Sequence, residues 1–128
     1  MSKKAPPRPT DAELAILRVL WELGPSTVRQ VQEALAEAKE TGYTTVLKLM
    51  QIMTEKGLVK RDEAERTHVY EARLTQEETQ RQLVSDLLDR AFGGSAKQLV
   101  MQALATKKTS AKEMTQIQQL LDKLEGGD

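Results

Sequence analysis

Thr44, Thr45, Lys48 and Gln51 are the side chains whose types and spacing best suit recognition chemistry in this sequence. They lie within GYTTVLKLMQIMTEKG, residues 42–57, where Val46, Leu49, Met50 and Met53 recur at helical spacing. That recurrence is the apolar stripe of an amphipathic helix, and Gly57 stands where a left-handed C-cap belongs. The other side starts at Thr44 and Thr45 and continues through Leu47, Lys48 and Gln51. Hydroxyls, an amide and an ammonium near a helix N-terminus suit a DNA groove, where they can meet base edges and phosphates. A solvated surface helix would carry the same residues, so the flanking chain has to decide.

Other chemistries find little support. The sequence has no cysteine, which excludes a disulfide framework, a thiol nucleophile and a thiolate metal site. His68 is the single histidine, and neither a second His nor a carboxylate cluster accompanies it to make a metal or catalytic site. No nucleophile–base pair and no phosphate-cradling glycine loop is present. An enzyme is not expected, and no cofactor is implied.

Size and composition fit one compact domain, or a small domain with an appendage: 128 residues, 39% hydrophobic and 30% charged. Aromatics are only 3%, so Leu, Val, Ile, Met and Ala must build the core, as in many helical folds. Net charge is zero, so no global basic field points to nucleic acid. Locally, residues 39–61 hold five positive charges (Lys39, Lys48, Lys56, Lys60, Arg61) against two negative ones, Glu40 and Glu55. No apolar run approaches the ~18 residues of a membrane span. The opening MSKKAPPRPTD lacks the apolar core of a signal peptide. A soluble cytoplasmic protein without membrane insertion is expected.

The elements that must position Thr44 and Lys48 are legible in order. Residues 1–9 read as a flexible Lys- and Pro-rich arm. Thr10 and Glu13 have capping-box spacing, and a helix then runs to Leu23, closed by Gly24-Pro25. Leu14, Ile16, Leu17, Leu20, Trp21 and Leu23 form its apolar side. A second helix is predicted from Thr27 to Ala38, with Val28, Val31 and Leu35 inward. Arg29, Gln30 and Gln32 lie off that stripe, within reach of a backbone phosphate or simply in solvent. KETG, residues 39–42, turns into the helix that bears Thr44. Helix, helix, short turn and helix make a helix-turn-helix.

Leu58–Asp62 and His68–Arg73 then read as two strands around a polar turn, with Val69 and Tyr70 packing inward. A hairpin in that place is the wing of a winged helix-turn-helix. Arg61 at its base and Arg66 at its tip are placed for phosphate or an adjacent minor groove, or for solvent.

From Thr75 the composition changes. Thr75–Glu78 is another capping box, opening a helix with Leu83, Val84, Leu87 and Leu88. Gly93-Gly94 stops it, and Ser95 caps a short helix with Leu99 and Leu104. Ser110–Glu113 caps a last helix, where Ile117, Leu120, Leu121 and Leu124 form a seam near heptad spacing. Three such helices have little intervening chain with which to cover their apolar faces, and a second copy would cover them. The fold expected is mainly α with a small β-hairpin. It comprises the arm, a winged helix-turn-helix domain over residues 10–74, and a three-helix dimerisation region over 75–128. Leu83, Leu87, Leu88, Leu99, Leu104, Ile117, Leu120, Leu121 and Leu124 are the candidate dimer contacts. An intramolecular bundle is the alternative.

TDAELAILRVLWELGPSTVRQV, YTTVLKLMQIMTEKGLV and ERTHVYEARLT together resemble the penicillinase-repressor family (BlaI/MecI, with the related CopY copper repressors). The similarity continues through SAKQLVMQALATKKTSAKEMTQIQQLLDKL and so spans about residues 10–124. It implies a homodimeric transcriptional repressor on a double-stranded operator with a TACA/TGTA-type dyad. Thr44, Thr45, Leu47 and Lys48 would face the groove, with Gln51 alongside and Arg61 and Arg66 in the wing. In the antibiotic-resistance members, a membrane sensor triggers proteolytic cleavage in the tail, which makes a sensor-linked protease an implied partner.

Three departures limit that carry-over. The family's Asn-Phe cleavage pair is replaced by Gln102 and Ala103, so cleavage there and a β-lactam role do not follow. The cysteine-rich hook of the copper repressors is absent, which excludes a copper sensor of that type. Lys48 and Ile52 stand where the family usually has Thr and Arg. Two other functions stay open on the residues alone: a winged-helix module for protein contacts, and a repressor gated by a small molecule.

Overall fold

The computed structural model describes residues 7–126, so the predicted arm at residues 1–9 lies largely outside the described residues. The elements in chain order are α1 (Asp11–Leu23), α2 (Val28–Ala36), α3 (Tyr43–Lys56), β1 (Val59–Asp62), β2 (Val69–Ala72), α4 (Gln76–Ala91), α5 (Ala96–Thr106) and α6 (Ala111–Glu125). The chain divides into two compact units, with the boundary after Val84, inside α4. The architecture is mainly helical with one two-stranded antiparallel sheet, as the sequence predicts.

In the first unit, caps set where the helices begin. Thr10 accepts a hydrogen bond from the Glu13 amide at 3.2 Å while Glu13 accepts one from the Thr10 amide at 2.9 Å. Thr27 and Gln30 close the same reciprocal box on α2. Each box satisfies two amide donors that a helix start otherwise leaves orphaned. α3 ends at Gly57, whose φ of 82° is left-handed. Such a conformation strains any residue with a Cβ, and it lets the Leu58 amide reach the Met53 carbonyl at 2.9 Å.

The core gathers Ile16, Leu17 and Leu20 of α1, Val28 and Val31 of α2, Val46, Met50 and Met53 of α3, then Leu58, Val59 and Tyr70. Ile16, Val31, Val46, Met50 and Met53 are wholly shielded from solvent. Burial of this kind is worth roughly 1.5–3 kcal/mol per large aliphatic side chain, which makes the three helices one cooperative body.

Three outcomes differ from the sequence reading, the first being that Leu23, the last residue of α1 and read as part of its apolar side, is 55% exposed. α2 stops at Ala36, two residues short of the predicted Ala38. The amides of Ala38 and Lys39 both turn back to the Leu35 carbonyl, tightening the end into a turn despite the good helix propensity of alanine. The strands are also shorter than predicted: Leu58, His68 and Arg73 fall outside them. The hairpin instead gains an unpredicted neighbour, because Ser26 and Tyr70 exchange backbone hydrogen bonds of 2.9 and 2.8 Å. That bridge ties the link between α1 and α2 to the wing. Trp21 is half-buried against the core and donates its indole N–H to the Leu74 carbonyl at 3.0 Å.

In the second unit, the Ser110–Glu113 box forms at the start of α6, and Ser95 accepts from the Gln98 amide at the start of α5. Neither helix has a buried residue. No helix among the described residues is long and apolar enough to cross a membrane.

Candidate nucleic-acid interface

α3 is anchored by its apolar stripe and leaves its other side open. With Val46, Met50 and Met53 shielded, Thr44, Thr45, Lys48 and Gln51 are all exposed on the same helix. Leu47 behaves differently from its neighbours: it is half-buried and packs against the core. The loop before α3 is pinned by Gln32, whose side-chain amide donates to the Thr41 carbonyl at 3.0 Å. α3 is thus a braced helix with hydroxyl, amide and ammonium groups available to a ligand.

The two wing arginines line different clefts. β1 and β2 pair so that Arg61 opposes Tyr70, which puts Arg61 beside the turn rather than at the hairpin's base. Arg61 lines a cleft with Pro25, Lys60, Asp62, Val69 and Glu71. Its guanidinium binds the Glu63 carboxylate, with Nε 2.6 Å from Oε2. Side-chain hydrogen bonding to Tyr70, and then to Glu63, raises the Arg61 pKa above its ordinary value. Arg66 instead lines a cleft with Leu47 and Tyr43 of α3, and it forms no ion pair with a described residue.

Charge around α3 is therefore distributed differently from the linear count. Of the five positive residues between 39 and 61, Lys56 pairs with Glu13 at 2.8 Å, Lys60 with Glu71 at 3.3 Å, and Arg61 with Glu63. Lys39 and Lys48 carry no ion pair with a described residue. Glu13 is the most enclosed of these acids: burial would raise its pKa, but hydrogen bonds from Lys56 and Thr10 outweigh that and hold it below its usual value. A lysine at the end of α3 is thereby spent on fixing α3 to α1.

Sequence reasoning also missed an arrangement at the start of α3. The Arg29 guanidinium of α2 stacks over the Tyr43 ring of α3, 4.8 Å from its centroid. Tyr43 opens α3 directly before Thr44, so the stack sits beside the exposed polar residues. Nothing in the linear pattern pairs residues fourteen positions apart on two different helices. Among the described residues, no group of three or more His, Asp or Glu is arranged to hold a metal ion.

The candidate dimer residues are placed as follows. Leu83, Leu88, Leu99 and Ile117 are half-buried, whereas Leu87, Leu104, Leu120, Leu121 and Leu124 are exposed, Leu124 by 69%. Val100, Met101 and Met114 extend the exposed apolar surface of α5 and α6.

Comparison with known proteins places these features in context. A family model described as penicillinase repressor matches residues 9–123. A transcriptional regulator, BlaI, from Mycobacterium tuberculosis is 31% identical over 118 residues, covering 91% of this chain and 85% of that protein. A penicillinase repressor from Staphylococcus aureus is 19% identical over 111 residues, covering 87% of this chain and 88% of its own. The solution structure of the DNA binding domain of the repressor BlaI matches with a TM-score of 0.52 at 21% identity. That match covers 59% of this chain and 93% of that domain, and it bears on the fold.

Proposed function

The chain belongs to the penicillinase repressor family, and from that premise we propose that this DNA-binding transcriptional repressor works as a homodimer on a pseudo-palindromic operator. As a regulator it performs no catalysis. The observation that carries the reading is the two-sidedness of α3: one side locked into the core, the other offering Thr44, Thr45, Lys48 and Gln51. Those four residues would read base edges of a TACA/TGTA-type dyad in the major groove, with Leu47 contributing apolar contact at the margin. Arg66, and Arg61 once its pairing with Glu63 is shared, would contact the backbone from the wing.

Homodimerisation is supported by the apolar residues that α5 and α6 leave in water. A two-fold dimer sets two reading helices about one helical turn of DNA apart, which is what a dyad presents. Binding then occludes a promoter in the cytoplasm until a signal separates the two chains. A sensor-linked protease could supply that signal, but Gln102 and Ala103 stand where the family's cleavage pair would be, so the bond cut would lie elsewhere in the tail.

The test is a titration of the pure protein against a TACA/TGTA dyad duplex and a scrambled duplex at two salt concentrations. Preference for the dyad, with affinity falling steeply with salt, supports the reading. Equal, salt-sensitive binding to both duplexes would move the operator assignment elsewhere. Absence of binding to either at low salt would overturn DNA recognition in favour of a protein-contact module.

A further inference from the structure

We propose that the cleft between α2, α3 and the hairpin is a seat for one DNA backbone phosphate, clamped by Arg29 and Arg66. The inference rests on the DNA-binding reading above and adds a contact that fixes where α3 lies in the groove. The cleft, about 290 Å³, is lined by Thr27, Val28, Arg29, Tyr43, Leu47, Arg66, Thr67, His68 and Tyr70. It brings together two guanidinium groups, an imidazole and two threonine hydroxyls, with no carboxylate in its lining.

That composition separates it from three other clefts of this unit. The groove between α1 and α2 is rimmed by Glu22, Glu33 and Glu37. The cleft at Arg61 contains Asp62 and Glu71, and the one at Trp21 contains Glu71. An anion approaching any of those meets a like charge; here the two residues of fixed charge in the lining, Arg29 and Arg66, are both cationic.

The donors are also prearranged. Stacking on Tyr43 holds the Arg29 guanidinium in place, which reduces the side-chain entropy lost on binding and leaves its planar edge for phosphate oxygens. The Thr27 oxygen accepts from the Gln30 amide at 3.1 Å, so its hydroxyl proton is free to donate outward. Neither Arg29 nor Arg66 is committed to an ion pair with a described residue, in contrast to Lys56, Lys60 and Arg61. Tyr43 immediately precedes Thr44 and Thr45, so a phosphate in this cleft borders the bases that α3 would read. Phosphate contacts of this kind set register without carrying sequence information.

The experiment measures operator and scrambled-duplex affinity across a salt series for the full chain and for Arg29→Gln, Arg29→Lys and Tyr43→Leu. Arg29 and Tyr43 are exposed, and thermal unfolding of each variant verifies that its fold is retained. Arg29→Gln should weaken both duplexes by the same factor, roughly tenfold. The slope of log affinity against log salt should shrink by about 0.9 for each bound chain. Arg29→Lys should retain the slope while losing part of the affinity, and Tyr43→Leu should do likewise. Scanning single methylphosphonate linkages across the half-site should find one position that weakens the wild-type chain and leaves Arg29→Gln unaffected. Wild-type affinity and slope in Arg29→Gln, with dyad preference intact, would overturn the clamp and leave the repressor reading standing. Failure of the wild-type chain to bind either duplex would overturn both.

Discussion

The two compact units of this chain handle their apolar residues in opposite ways. Up to Val84, the stripes of α1, α2 and α3 converge with Tyr70 on one core from which solvent is excluded. Beyond it, α5 and α6 have equally regular stripes but no buried residue, and Met101, Leu120 and Leu124 are more than half exposed. Helical periodicity is common to both; cover is not. An amphipathic helix gains its stability from what its apolar face touches rather than from propensity. The first unit therefore supplies its own cover and can hold a polar reading face rigidly. The second has apolar surface left for another molecule, and a second copy of this chain is the occupant proposed.

That contrast can be broken at several points. Met50→Ala, inside the first core, should cost about 2–5 kcal/mol of unfolding free energy, measured by denaturant titration. A change of less than about 1 kcal/mol would mean that the core is looser than its shielding indicates. Replacing Leu120 and Leu121 together by Asp should leave the thermal unfolding of the first unit nearly unaltered while weakening self-association at least roughly a hundredfold in sedimentation. Unchanged association would move the dimer contacts off α6.

Lys48→Ala addresses the open side of α3. It should cost about 1–3 kcal/mol on the dyad and much less on scrambled DNA if the ammonium meets a base. An equal loss on both, with a smaller salt slope, would reassign it to a phosphate.

Glu13→Gln is the finest of these probes. Glu13 is enclosed while Lys56 is one-third exposed, so solvent screens part of the pair and a loss of about 1–2 kcal/mol is expected. The sign of the pH effect follows from the lowered pKa of Glu13 in the folded state. Its stabilisation is fully present above the ordinary carboxyl value of 4.5 and is lost as pH falls through the depressed folded-state value. Acid unfolding curves should show Glu13→Gln losing that part of the pH dependence below pH 4.5. Parallel curves would deny the pair its role.

Features carried by nearest neighbours along the chain were legible beforehand. The boxes at Thr10, Thr75 and Ser110 depend on a hydroxyl and a carboxylate three residues apart, and all three form. The stripe of α3 is likewise a local pattern. What escaped the linear reading is made by distant parts of the chain meeting. Ser26 bonds to Tyr70, Glu13 pairs with Lys56 and Arg29 stacks on Tyr43, and each joins segments well separated in sequence. Leu47 shows the same limit within one helix. The helical pattern placed it on the open side with Thr44 and Lys48, whereas contact with the core leaves it half-buried. The count of positive charge likewise could not show that Lys56 and Lys60 are already paired.

The claim that one unit reads DNA while the other joins two copies is tested most directly by the mass and affinity of the complex on a full dyad and on an isolated half-site. The account predicts two chains on the dyad, bound at least about a hundredfold more tightly than the half-site because the second contact becomes intramolecular. One chain per duplex with equal affinity for both would contradict it.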